Sequence, residues 1–128
     1  MKKIMIVEDD YLVREMYRAV LAGEGWEVEI AKNGLEALLR IQVFRPDCLL
    51  LDINMPEISG PEMIRRLKTT PDPEMRAIPF IITTGEPNIP PERRAAIEAD
   101  PACKGFLPKN VDVEMLVRAV RSVLGPGA

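Results

Sequence analysis

The sequence predicts an α/β domain, a doubly wound parallel sheet of five strands with five helices on its two faces. Short runs rich in Ile and Val recur five times, over Lys3 to Val7, Trp26 to Ile30, Cys48 to Leu51, Phe80 to Thr83 and Gly105 to Leu107, and apolar runs of that length bounded by turn residues read as strands. Between them apolar residues recur three and four apart, the spacing of a helix with one buried face. Such regular alternation calls for parallel neighbours, because only a connection long enough for a helix joins them, and right-handed crossovers then cover both faces of the sheet.

Each element carries its own signal. The first strand runs from Lys3 into Glu8-Asp9-Asp10, where Asp10 suits the cap of the following helix. After the second strand, Asn33 with Glu36 forms a capping signature, and Ser59 with Glu62 repeats it after the third, with Pro61 suited to a first helical turn. Cys48-Leu49-Leu50-Leu51 is apolar without alternation, as a strand buried on both faces should be. Glu86 to Pro91 holds three prolines in six residues, a stiff loop ahead of a short fourth helix from about Pro91 to Ala99. The last helix is the plainest, with Val113, Leu116, Val117, Val120, Val123 and Leu124 on one stripe.

At 128 residues the expectation is one domain over 1–128. Apolar residues make up 47% and charged residues 29%, values of an ordinary globular protein that favour neither disorder nor a membrane class. No apolar run approaches the roughly 18 residues of a bilayer span, and the start has no signal peptide character. Cys48 and Cys103 lack metal-ligand spacing and are expected as free, buried thiols, which implies a cytoplasmic address. A net charge of −3 without a basic cluster argues against direct nucleic-acid binding, and membrane contact is not expected either. Histidine is absent, which removes imidazole catalysis and most zinc sites and leaves carboxylates, lysine and hydroxyls to carry any chemistry.

In a doubly wound sheet, ligands bind beyond the carboxyl ends of the strands. Those ends supply Glu8, Asp9 and Asp10 after the first strand, Asp52 after the third, Thr83 and Thr84 closing the fourth, and Lys109 after the fifth. Several acids in one crevice repel one another, so either their pKa values rise or a cation binds. An all-oxygen site suits Mg²⁺.

Four blocks in order, Ile4-Met5-Ile6-Val7-Glu8-Asp9-Asp10, Leu50-Leu51-Asp52-Ile53-Asn54-Met55-Pro56 with Gly60, Ile81-Ile82-Thr83-Thr84-Gly85 and Gly105-Phe106-Leu107-Pro108-Lys109, resemble the receiver domains of two-component response regulators over essentially the whole chain. The resemblance implies a CheY-like, flavodoxin-like sheet of order 2-1-3-4-5. It also implies that Asp52 accepts a phosphoryl group from a phosphohistidine, carried by a histidine kinase or a histidine phosphotransfer protein, in a reaction needing Mg²⁺ or Mn²⁺. By the same resemblance Asp9 is a direct metal ligand, Glu8 its partner through water, Asp52 a shared ligand and the Asn54 carbonyl a further one. Lys109 pairs with the phosphoryl group, or with Asp52 before phosphorylation. Thr84 is the switch hydroxyl, with Thr83 facing the other side, and Phe106 is the aromatic partner of the switch. Lacking a tyrosine hydroxyl, Phe106 is expected to sit buried in more of the unphosphorylated molecules. Signalling would leave through the face of the fourth helix, fifth strand and fifth helix, toward an unidentified output protein or domain or a second copy in a homodimer. The chain would act on itself, in phosphoryl uptake and loss, and not as an enzyme on other substrates.

Three departures bear on these expectations. The family usually has proline after the lysine, often with a cis bond, but here Asn110 follows, where cis costs about 2.5 to 4 kcal/mol. Either that strain is held or Lys109 is presented differently. The proline-rich loop and an insertion-like Ala99-Asp100-Pro101-Ala102-Cys103 alter the partner face, while Asn54 and Glu86 occupy places that tune hydrolysis in the family. Other classes fit less well. A phosphatase of the haloacid-dehalogenase type wants a second acid where Asn54 stands, and a flavodoxin-like carrier would place an FMN phosphate against Glu8, Asp9 and Asp10. A receiver-like interaction module that never takes phosphate is the remaining alternative. The chain ends at Gly125-Pro126-Gly127-Ala128 after the last helix, so a stand-alone regulator or a module cut from a longer protein is expected.

Overall fold

A computed structural model describes residues 1–86 and 88–127; Pro87, one of the three prolines of the loop before the fourth expected helix, and Ala128 lie outside them. The five strands are β1 (Lys3–Val7), β2 (Glu27–Ala31), β3 (Cys48–Asp52), β4 (Phe80–Thr84) and β5 (Cys103–Pro108). All pairings are parallel and the order is β2-β1-β3-β4-β5, as the resemblance implies. Around them the described residues form six helices and not five: α1 (Tyr11–Gly23), α2 (Gly34–Phe44), α3 (Gly60–Lys68), α4 (Pro73–Arg76), α5 (Pro91–Glu98) and α6 (Val113–Leu124).

The unexpected helix is α4. It is one turn long, too short to show apolar periodicity, yet Asp72 caps it by accepting from the Glu74 amide at 2.9 Å and Met75 is buried beneath it. The fifth strand also begins two residues before the expected Gly105. The insertion-like stretch before it folds as a turn in which the Cys103 amide donates to the Asp100 carbonyl at 2.9 Å.

Alternation along the strands sorts the core into two layers. Met5, Val7, Leu49, Leu51 and Ile82 face α2, α3 and α5 through Ala37, Ile41, Met63, Leu67 and Ile97. Ile4, Ile6, Leu50 and Ile81 face α1 and α6 through Tyr17, Leu21, Leu116, Val120 and Leu124. With both faces covered, Ile4 to Val7 of β1, Cys48 to Leu51 of β3 and Phe80 to Ile82 of β4 are apolar without interruption. Only at their carboxyl ends do Glu8, Asp52, Thr83 and Thr84 place buried polar groups.

The two capping signatures form halfway. Asn33 accepts from the Glu36 amide at 2.8 Å, but Glu36 returns to the Lys32 amide. Ser59 accepts from the Glu62 amide at 3.2 Å, while the Glu62 carboxylate turns to Arg65 and Arg66. Cys48 and Cys103 are both free; Cys48 is buried, which pushes its thiol up to about 12, but Cys103 is only half-buried. Among the described residues no helix is long and apolar enough to cross a membrane.

Candidate functional site at the carboxyl ends of the strands

Strand β1 ends at Val7, so the next two side chains leave the sheet at its rim, one inward and one outward. Glu8 is 1% exposed, whereas Asp9 is exposed. Asp52 closes β3 beside them and is also 1% exposed. Carboxylate oxygens of Glu8, Asp9 and Asp52 all lie within 4.8 Å of one another. Lys109, just beyond β5, reaches into this group: its Nζ is 2.9 Å from Asp52 Oδ2 and 3.0 Å from Glu8 Oε2.

Three acids against one lysine leave an excess of negative charge in a place water barely reaches. Burial pushes the Asp52 carboxyl up to about 7; Lys109 opposes the rise and Glu8 adds to it. Glu8 is raised too, by burial, against the pull of the Asp10 amide and Lys109. For Asp9 burial acts upward, but hydrogen bonds with Asp52 and Glu8 outweigh it and hold the carboxyl below its ordinary value. Burial alone would lower the Lys109 ammonium, yet its bonds to Asp52 and Glu8 raise it, so it stays charged.

The cluster fits a hard cation. Glu8 Oε2 accepts from the Asp10 amide at 3.0 Å and from Lys109, but Glu8 Oε1 is buried with no partner among the described residues. A buried carboxylate oxygen without a donor is costly, and an oxygen-seeking cation beside Asp9 and Asp52 is a group that satisfies it.

The remaining predicted residues surround this cluster. Asn54 is exposed; its amide donates to Asp52 Oδ1 at 3.2 Å, and its carboxamide binds Glu86 and Arg93. Thr84 is buried at the end of β4, and its hydroxyl accepts from the Glu86 amide at 2.9 Å. Thr83 is buried in register with Asp52. Phe106 is half-buried, with the Arg94 guanidinium 4.5 Å from its ring centre. A cleft of about 180 Å³ lies between Phe106, Thr84, Glu86 and Arg94. Asp10 caps α1, accepting from the Val13 amide at 3.1 Å. The Lys109–Asn110 bond is trans, so no cis strain is held there. Lys109 is presented from a turn in which its own amide donates to the Thr84 carbonyl at 2.9 Å.

Four further residues build the site without having been singled out for it. Tyr17, fully buried on α1, donates its hydroxyl to the Lys109 carbonyl at 3.4 Å, and burial pushes its own pKa up to about 12. Arg14 donates to the Glu8 carbonyl at 3.0 Å. Arg93 reaches Asn54 from α5. Gly60, quoted above only as part of a block, opens α3 against β3, where a Cβ would stand 2.7 Å from the Asp52 carbonyl oxygen, so no larger residue fits without displacing backbone. Tyr17 carried a faint signal, lying four residues after Val13 and four before Leu21 and so on the inner face of α1.

Comparison with known proteins agrees with the fold. The chain is 37% identical over 122 residues to the response regulator MprA of Mycobacterium avium, covering 95% of this chain and 50% of that protein. It thus spans about half the length of several of the curated relatives it matches. To the polar-differentiation response regulator DivK of Brucella anthropi it is 36% identical over 124 residues, covering 97% of both. Among solved structures, the chemotaxis response regulator CheY4 of Vibrio cholerae superposes with a TM-score of 0.84 at 31% identity, covering 97% of this chain and 99% of that one. The response regulator TrrA of Thermotoga maritima, solved in complex with Mg(2+)-BeF, gives 0.79 at 28% identity over 97% of this chain and 100% of that one. The sequence model described as the response regulator receiver domain matches residues 4–121, nearly the full length, and on that match the chain belongs to the response regulator receiver family.

Proposed function

We propose that this receiver domain takes a phosphoryl group onto Asp52 and uses it as a signal. The observation that carries the reading is the buried Asp52 held among Glu8, Asp9 and Lys109, a carboxylate placed as a nucleophile beside a lysine and an unsatisfied acid. An Asp52 oxygen attacks phosphorus, the P–N bond of a phosphohistidine breaks, and its electron pair leaves with the imidazole. When bound by Glu8, Asp9, Asp52 and the Asn54 carbonyl, Mg²⁺ or Mn²⁺ supplies charge neutralisation for the phosphoryl oxygens.

The chain's own groups do the rest. Lys109 bridges Asp52 and Glu8 and so stands ready to pair with an added phosphoryl oxygen without travelling. Thr84 accepts from the Glu86 amide, which leaves its own proton free to donate to a phosphate carrying roughly −1.5 to −2 charges. A threonine drawn that way disturbs the cleft it shares with Phe106, and the ring has room there to change position. On this reading the response leaves through the α5–β5–α6 face, where an output protein or domain, or a second copy, would dock. The partners are a histidine kinase or histidine phosphotransfer protein in the cytoplasm, and the only catalysis is the domain's own phosphoryl uptake and loss.

The test is intact mass after incubation with Mg²⁺ and acetyl phosphate or phosphoramidate. Wild type should gain one phosphoryl group, and Asp52→Ala, or wild type with the metal chelated, should gain none. A wild type that stays unmodified under all donors is an interaction module working without phosphate.

A further inference from the structure

Three segments meet over the mouth of the aspartate pocket: the loop after β3, the loop after β4 and the first turn of α5. Asn54 belongs to the first, and both ends of its carboxamide are held. Its Nδ2 donates to Glu86 Oε1, and its Oδ1 accepts from Arg93 Nη2 at 3.3 Å. Arg93 closes the triangle, with Nη1 3.6 Å from Glu86 Oε2. The triangle touches the chemistry at two points. The Asn54 amide donates to Asp52 Oδ1 at 3.2 Å, and the Glu86 amide donates to Thr84 Oγ1 at 2.9 Å.

We propose that Arg93 is a positioning residue that pins the Asn54 carboxamide and thereby lengthens the life of the phosphate on Asp52; the inference rests on the phosphoacceptor reading above. In hydrolysis, a water oxygen attacks phosphorus and the P–O bond to Asp52 breaks. Asp52 leaves as a carboxylate with the electron pair, and the water's proton passes to the departing phosphate. An unengaged carboxamide near the pocket offers an acceptor oxygen that can orient that water, and orientation is a large part of such a rate. Here the oxygen is occupied by Arg93 and the amide nitrogen by Glu86, so the group cannot turn to a water without breaking a bond. Arginine suits this role because its planar fork serves two acceptors at once, one nitrogen to Asn54 and one to Glu86, where a lysine ammonium lacks that fixed geometry. Being half-exposed, the Arg93–Glu86 pair is also open to screening by salt.

The experiment measures loss of phosphate, by intact mass after the donor is removed, for wild type, Arg93→Ala and Arg93→Lys. Arg93→Ala should lose phosphate roughly three- to tenfold faster, with Arg93→Lys between, a range equivalent to at most one factor of ten in an orientation effect. Raising salt should quicken wild type toward the variant and leave the variant unchanged. In an Asn54→Ala background, Arg93→Ala should add nothing, because the latch acts only through that carboxamide. The Asn54 side-chain amide resonances, assigned by their disappearance in Asn54→Ala, should shift in unphosphorylated Arg93→Ala but not in Arg65→Ala. Equal rates for wild type and Arg93→Ala, or an acceleration that persists without Asn54, overturn the latch while leaving the phosphoacceptor reading intact. A wild type that never takes phosphate overturns that reading, and the latch with it.

Discussion

Lys109 and Arg45 hold matching positions at opposite ends of the sheet, each a cation between two acids. Lys109 sits 2.9 and 3.0 Å from Asp52 and Glu8 at the carboxyl ends, and Arg45 sits 2.7 and 3.0 Å from Asp72 and Glu74 at the amino end of β3. The distances are alike. The exposures are not: Asp52 and Glu8 are each 1% exposed, against 32% and 83% for Asp72 and Glu74. At the amino end water solvates all three groups, so Asp72 is held below its ordinary value by Arg45 and no desolvation opposes it strongly. At the carboxyl end burial dominates, and it drives Asp52 up to about 7 although Lys109 touches it. Residue type and spacing therefore do not distinguish a surface ion pair from a buried, charge-strained cluster; access of water does.

Removing each cation breaks the comparison most directly, and the larger effect belongs to the buried one. Lys109→Met should cost about 2 to 3 kcal/mol in urea unfolding at pH 8 without metal, since it strands two buried carboxylates. The loss should shrink at pH 5, where those carboxylates take up protons. A pH-independent loss would mean that Lys109 acts by packing alone. The next effect concerns Asp52 itself. Its folded pKa is about 7 against an ordinary 3.8, so the folded state keeps a proton that the unfolded chain gives up between those values. Stability from this group is full below about pH 4 and is lost as pH rises toward 7. Asp52→Asn removes that slope. Its stability relative to metal-free wild type should therefore climb with pH, by on the order of 2 kcal/mol between pH 4.5 and 8. Mg²⁺ should restore wild type at pH 8 and leave the variant less affected.

How much of this contrast the chain displays before folding differs between fold and site. Burial on both faces leaves an unmistakable mark, and Cys48 to Leu51 reads as a strand because nothing polar interrupts it until Asp52. The one-turn α4 leaves none through periodicity, although Asp72-Pro73-Glu74 is a cap followed by proline and an acid and could have been read. The start of β5 was hidden because Cys103 and Lys104 have no strand character of their own; Cys103 is enlisted by pairing with Phe80, and the register shifts past Lys104 before Gly105 pairs with Ile81. At the site, strand-end logic is enough to gather Glu8, Asp9, Asp52 and Lys109. It cannot reveal that Glu8 goes inward and Asp9 outward, which depends on the last pleat of β1. Nor can it reveal Arg93 over Asn54, because a side chain crossing from α5 to another loop leaves no periodic trace. The trans bond before Asn110 belongs with these: with it, the long flexible lysine stem delivers Nζ to within 2.9 Å of Asp52.

The smallest effect is the most demanding test of the contrast. Arg45→Gln removes the cation from Asp72 and Glu74 while keeping a polar side chain at a position whose backbone φ is 54°. Both acids can turn to solvent, and Asp72 keeps its capping bond to the Glu74 amide, so α4 retains its anchor. The urea midpoint should then barely move, should do so equally at pH 5 and pH 8, and should lose even that small shift in high salt. If instead Arg45→Gln matched Lys109→Met in size or in pH dependence, exposure could no longer be what separates the two ends. The charge geometry they share would then have to account for both.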